Sequence, residues 1–128
     1  MVAGIIGKGN GCAYFFQDLE IKKAQSFVEN NISEKIAIGE LATQFGISRR
    51  NFDRRFIKAT FNTPAEYLQR VKMEAAKKAL ETSKKTINEV MYEVGYTDVK
   101  SFRSVFKKLT GLSPNDYKFK YNKESGAN

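Results

Sequence analysis

Residues 40–60 read ELATQFGISRRNFDRRFIKAT, and residues 89–110 read EVMYEVGYTDVKSFRSVFKKLT. The two stretches are one pattern written twice. Gly46 maps onto Gly95 and Ser48 onto Thr97 at an offset of 49. After one inserted residue, Phe52, Phe56, Thr60, Pro64 and Tyr67 map onto Phe102, Phe106, Thr110, Pro114 and Tyr117 at an offset of 50. A repeat at this period means one supersecondary unit built twice. Each copy has a short apolar-striped helix, a glycine turn, a Ser, Thr or Asp cap, a second helix with a Phe pair four apart, and a Pro-started third helix. Each copy therefore reads as a helix-turn-helix.

Outward from this core, the spacing predicts a first helix over residues 17–30 with Ile21, Ala24 and Val28 as its buried stripe. The second runs over 38–45, burying Ile38, Leu41, Ala42 and Phe45, and the third over 49–59. Thr63-Pro64-Ala65-Glu66 combines a capping residue, Pro in the first turn and Glu three after the cap. It opens a long helix to residue 82, striped by Tyr67, Leu68, Val71, Ala75, Ala79 and Leu80. The opposite face carries Arg70, Lys72, Glu74, Lys77, Lys78 and Glu81, with its lysines expected in solvent. Thr86-Ile87-Asn88-Glu89 is a second capping box, and Thr97 or Asp98 caps the sixth helix. Ser113-Pro114 starts a short seventh. The expected fold is all-α, about seven helices and no strand.

The expected organisation is a tail or interdomain junction at 1–16, a domain at 17–121 and a frayed tail at 122–128. Within the domain, 17–63 and 83–121 are the two helix-turn-helix subdomains, and 64–82 is the helix that joins them. Two departures between the copies bear on stability. Ala37 stands where the second copy has the capping Thr86, so the second helix starts less firmly, by about 1 kcal/mol. Phe61 stands where the second copy has Gly111, at a position read as left-handed. Either the first turn has another geometry, or a hydrophobic pocket receives Phe61.

The chain has 128 residues, a formal charge of +8 and a pI near 9.6, a balance that favours a polyanionic partner. The charge belongs to the repeats, because residues 1–20 carry one lysine against Asp18 and Glu20. Histidine is absent and Cys12 is the one cysteine, so the commonest general base and any internal disulfide are excluded. Cys12 lies among glycine and apolar residues with no acid beside it to activate a thiolate, which argues against an enzyme. No cofactor and no metal are expected. No apolar run approaches the roughly 18 residues needed to cross a bilayer.

A helix-turn-helix inserts its second helix into the major groove, N-terminal end first. On the third helix Phe52 and Phe56 face inward, while Arg50, Asp53 and Arg54 share an outer face flanked by Arg49, Arg55 and Lys58. Arginine matches the O6 and N7 acceptors of guanine. Asp53 either accepts from a cytosine amino group or holds Arg50 and Arg54 in position. On the sixth helix Val99, Lys100, Arg103 and Ser104 face outward, with Arg103 the best match for guanine and Val99 for a thymine methyl. Arg49, Arg50, Asp53, Arg54, Val99, Lys100, Arg103 and Ser104 are thus the expected base contacts. Ser48, Lys58, Thr63, Thr97, Lys107 and Ser113 are the expected phosphate contacts. The second copy is expected to give more backbone affinity and less discrimination.

The pieces ELATQFGISRRNFDRRFIKAT, TPAEYLQRVKMEAAKKAL and INEVMYEVGYTDVKSFRSVFKKLTGLSPNDY resemble the DNA-binding domain of the AraC/XylS family of bacterial transcription regulators. The resemblance implies two helix-turn-helix units bridged by a long helix, double-stranded DNA as partner, contacts with RNA polymerase subunits, activation of transcription, and a cytoplasmic, nucleoid-associated location. Most of the family also has a separate N-terminal sensing domain, while some members are short and stand alone. The wording of the first repeat is most similar to members that carry a glutamine-amidotransferase-like (DJ-1/PfpI-like) domain there. On that reading residues 1–16 are the remains of the junction. The rival reading is a basic helical protein-interaction module that binds DNA without sequence preference.

Overall fold

The computed structural model describes residues 18–122, and these form seven helices and no strand. In chain order they are α1 (Leu19–Asn30), α2 (Ile38–Gln44), α3 (Arg49–Thr60), α4 (Pro64–Thr82), α5 (Ile87–Glu93), α6 (Val99–Thr110) and α7 (Pro114–Tyr121). The expected tail at 1–16 lies outside the described residues. Two compact units emerge: residues 18–27 with 38–64, and residues 28–37 with 65–122. The joining helix α4 and the turn after α1 thus both pack with the second helix-turn-helix.

In the first unit Ile21 and Ala24 of α1, Leu41 and Ala42 of α2, and Phe52 and Phe56 of α3 are buried. The two phenylalanine rings meet edge to face at 5.5 Å, a favoured aromatic arrangement. Ile38 and Phe45, expected in the core, are only half-buried, because α2 is two turns long and presents few positions to it. Asp18 closes the unit. Its carboxylate takes two hydrogen bonds from Arg55, at 2.7 Å each, and a longer one from the Ile21 backbone N–H. The Arg55 guanidinium holds the Asp18 carboxyl below its ordinary pKa.

A carboxyl lowered in the folded state stabilises the fold above its unfolded pKa, about 3.9, and that contribution is lost as pH falls through the folded value. Asp18→Asn is therefore expected to lower stability by about 1–2 kcal/mol at neutral pH. The difference from wild type should shrink below pH 4 in urea unfolding curves; a constant difference would mean that the Asp18 charge contributes nothing.

The turn after α3 settles the question raised by Phe61. It has φ 65° and ψ 13°, the left-handed conformation, and its N–H bonds to the Ile57 carbonyl at 2.7 Å. Thr60 Oγ1 donates to the Phe56 carbonyl and accepts from the Asn62 N–H. The second copy repeats these bonds with Thr110, Phe106 and Leu112 around Gly111 at φ 86°. The geometry is therefore the glycine geometry, and no pocket receives the ring, which is 89% exposed. Both sequence-based alternatives fail, and the left-handed strain is carried openly. Phe61→Gly is expected to stabilise the first unit by about 0.5–1 kcal/mol, the strain relieved less the chain entropy that glycine adds. A thermal midpoint that falls would show that the exposed ring contributes a contact.

The second unit has the larger core. Met73, Ala76 and Leu80 of α4 pack with Val90 and Met91 of α5, with Val94 at its C-terminal cap, with Phe102 and Phe106 of α6, and with Tyr117 of α7. Thr86 and Glu89 form the expected capping box of α5, and Ser113 caps α7. Asp98, rather than Thr97, caps α6. Asn122, expected in the frayed tail, is buried and donates to the Leu80 and Ser83 carbonyls at the end of α4, at 2.6 and 2.8 Å. The Leu80 carbonyl is among the last four of α4, which lack an intrahelical partner, and Asn122 supplies one from across the chain.

The stripe on α4 is rotated from expectation. Met73 and Ala76, absent from the expected set, are buried with Leu80, whereas Tyr67, Leu68, Val71, Ala75 and Ala79 are half-buried. Lys72, assigned to the solvated face, is 6% exposed. Its ammonium donates to the carbonyls of Ile32, Glu34 and Val94. Burial lowers its pKa. Three N–H groups meet three carbonyls, which is how a lysine is accommodated without a carboxylate.

Candidate nucleic-acid interface

The cap sequence sets the orientation of α3. Ser48 is extended, and its hydroxyl accepts from the Asn51 N–H at 3.3 Å, so the helix begins at Arg49. Burial of Phe52 and Phe56 then turns the remaining faces outward. Arg49, Arg50, Arg54 and Lys58 are exposed and Asp53 is half-buried. On α6, burial of Phe102 and Phe106 leaves Lys100, Arg103, Ser104, Lys107 and Lys108 exposed. Both helices carry a cationic outer face over an aromatic inner one.

The side chains on α3 are arranged in pairs. Arg49 Nε donates to Asp53 Oδ1 at 3.0 Å, and Arg54 Nη2 donates to Asn51 Oδ1 at 3.2 Å. Asp53 therefore holds Arg49, a partner the sequence reading did not consider, rather than Arg50 or Arg54. Arg50 is exposed and has no ion-pair partner among the described residues. Arg55, read as flanking this face, is turned away into its pair with Asp18. Sequence could not distinguish Arg55 from its neighbours, because its partner lies 37 residues away.

The α6 face differs in two ways. Val99 is half-buried and packs on the core of its own unit, which leaves less of it for a thymine methyl. Asp98 places a carboxylate at the helix N-terminus, where it accepts from the Ser101 N–H and hydroxyl at 3.2 and 2.6 Å. These bonds lower its pKa. An anion already sits where a phosphate would be welcome, whereas α3 offers a neutral hydroxyl there. Thr97 is exposed beside Asp98, while Thr63 and Ser113 are half-buried at the starts of α4 and α7. Among the described residues no helix is long and apolar enough to cross a membrane.

Two helix-turn-helix units, each with a basic outer face on its second helix, define a helical DNA-binding domain. Residues 41–119 match the family described as a helix-turn-helix domain, and the chain belongs to the AraC-type helix-turn-helix family of DNA-binding transcription regulators. It is 36% identical over 98 residues to an uncharacterized HTH-type transcriptional regulator in the cgkA 5' region of Pseudoalteromonas carrageenovora, which covers 77% of this chain and 58% of that protein. It is 27% identical over 99 residues to the HTH-type transcriptional activator RhaS of Klebsiella pneumoniae, covering 77% of this chain and 36% of the activator. Among solved structures, the DNA-binding domain of the global transcriptional factor AdpA, in complex with a target DNA, superimposes with a TM-score of 0.77 at 28% identity. That match covers 80% of this chain and 92% of the AdpA chain. The chain thus spans less than two thirds of the length of both curated relatives.

Proposed function

We propose that this chain binds double-stranded DNA sequence-specifically, with α3 and α6 as recognition helices in successive major-groove segments about one helical turn, or 34 Å, apart. The observation that carries the reading is the duplication itself. Each recognition helix follows a left-handed glycine turn, buries a Phe pair and turns cationic side chains outward. Arg49, Arg50, Asp53 and Arg54 on α3, with Val99, Lys100, Arg103 and Ser104 on α6, are the proposed base-reading set. Ser48, Lys58, Thr63, Thr97, Lys107 and Ser113 are the proposed phosphate set. The paired arginines of α3 support a discriminating first half. The lysines of α6, which have no ion-pair partner among the described residues, and its Asp98 cap support a second half that mainly grips backbone.

The name of the RhaS relative supports an activator. An activator acts on RNA polymerase subunits, works in the cytoplasm on nucleoid DNA, and takes its signal through a separate sensing domain; we assign all three to the full-length protein. The relatives' greater length is consistent with such a domain. The test is selection from a random duplex pool at near-physiological salt. An asymmetric two-part motif with centres about one turn apart supports both recognition helices. Absence of enrichment, with binding that vanishes as salt rises, replaces the reading with a basic interaction module.

A further inference from the structure

Arg54 does not stand alone on the outer face of α3. Asn51, one turn earlier and outside both proposed contact sets, accepts a hydrogen bond from the Arg54 guanidinium at 3.2 Å. Asn51 is itself fixed at its backbone, where its N–H bonds to the Ser48 cap. An arginine side chain carries large rotamer entropy, part of which is lost when it docks on a base. A bond already present in the free protein removes some of that loss from the binding step. The guanidinium has five donors, so one bond to Asn51 leaves enough for the two acceptors of guanine. The second copy is an internal comparison. Asn51 and Arg54 correspond there to Ser101 and Ser104, and the Ser101 hydroxyl is turned back to Asp98.

We infer that Asn51 is a positioning residue, which presets the Arg54 guanidinium for base recognition and so concentrates sequence discrimination in the first half of the domain. The inference rests on the DNA-reading assignment of α3 proposed above. It is tested with the whole chain on two duplexes: the selected site, and the same site changed at the base pair whose preference disappears in Arg54→Ala. Asn51→Ala is expected to bind the selected site about three- to tenfold more weakly and the changed site as wild type does. In the Arg54→Ala background it should have no further effect, and Asn51→Asp, which keeps the acceptor, should restore discrimination. An unchanged thermal midpoint would show that the fold is intact. Equal loss on both duplexes, or losses that add to those of Arg54→Ala, would overturn the inference and make Asn51 a direct DNA contact. A selection in which no base preference depends on Arg54 would overturn the α3 assignment and the inference with it.

Discussion

Gly95→Ala is expected to lower stability by about 3 kcal/mol, whereas Gly46→Ala and Gly111→Ala each lower it by about 1 kcal/mol. All three glycines have positive φ, at 86°, 70° and 86° respectively, so each substitution carries the left-handed penalty. The difference lies in what a methyl group would meet. At Gly46 and Gly111 there is nothing within 4 Å. At Gly95 the new carbon would sit 2.6 Å from Lys72 Nζ, 2.9 Å from the Ile32 carbonyl and 3.1 Å from the Ser33 carbonyl. A lysine end is ordinarily free to move aside, but this one is held by three carbonyls and buried.

The same contacts predict the partner experiment. Lys72→Met keeps the stem and removes the charge, leaving three carbonyls without a donor. The Val94 carbonyl accepts in buried surroundings, while those of Ile32 and Glu34 lie nearer to solvent and can regain water. A net loss of about 2–3 kcal/mol follows. In the Lys72→Met background Gly95→Ala should cost less than in wild type, because the pinned ammonium is gone. Urea unfolding of the four proteins measures this directly. Strict additivity would show that Lys72 and Gly95 do not compete for the same space.

Arg54→Ala is expected to weaken binding to the selected site by about 1–3 kcal/mol and to relax preference at one base pair. Arg54 is exposed on the outer face of α3, and a bidentate arginine is the side chain that best separates guanine from the other bases. Its orientation comes from two levels: the burial of Phe52 and Phe56, which sets the helix rotation, and Asn51, which holds the guanidinium. Competition binding against a random duplex separates the outcomes. Loss confined to the selected site supports base reading. An equal loss on every duplex would make Arg54 a phosphate contact.

Most of the fold was legible because its determinants are local. Capping residues, left-handed glycines and the i, i+4 phenylalanine pairs act within one turn, so the seven helices and their order follow from residues read in sequence. The basic outer faces of α3 and α6 were legible for the same reason, since fixing two inward phenylalanines fixes where the other side chains on that helix point.

What the sequence could not decide were the roles of charged and polar residues whose partners are distant. Four arginines in seven residues look alike on paper, yet Arg55 is paired with Asp18, Arg49 with Asp53, and Arg54 bonds to Asn51. Lys72 reads as solvated from its helix but is buried by the turn at 31–34 and by Val94, and Asn122 reads as tail but caps α4. The sequence by itself determined a duplicated, all-helical, cationic domain, because helix periodicity, capping and net charge need only neighbouring residues or simple sums. Only the tertiary structure decided which cations remain on the surface, because whether a charge is spent inside the protein depends on contacts made 20 to 40 residues away.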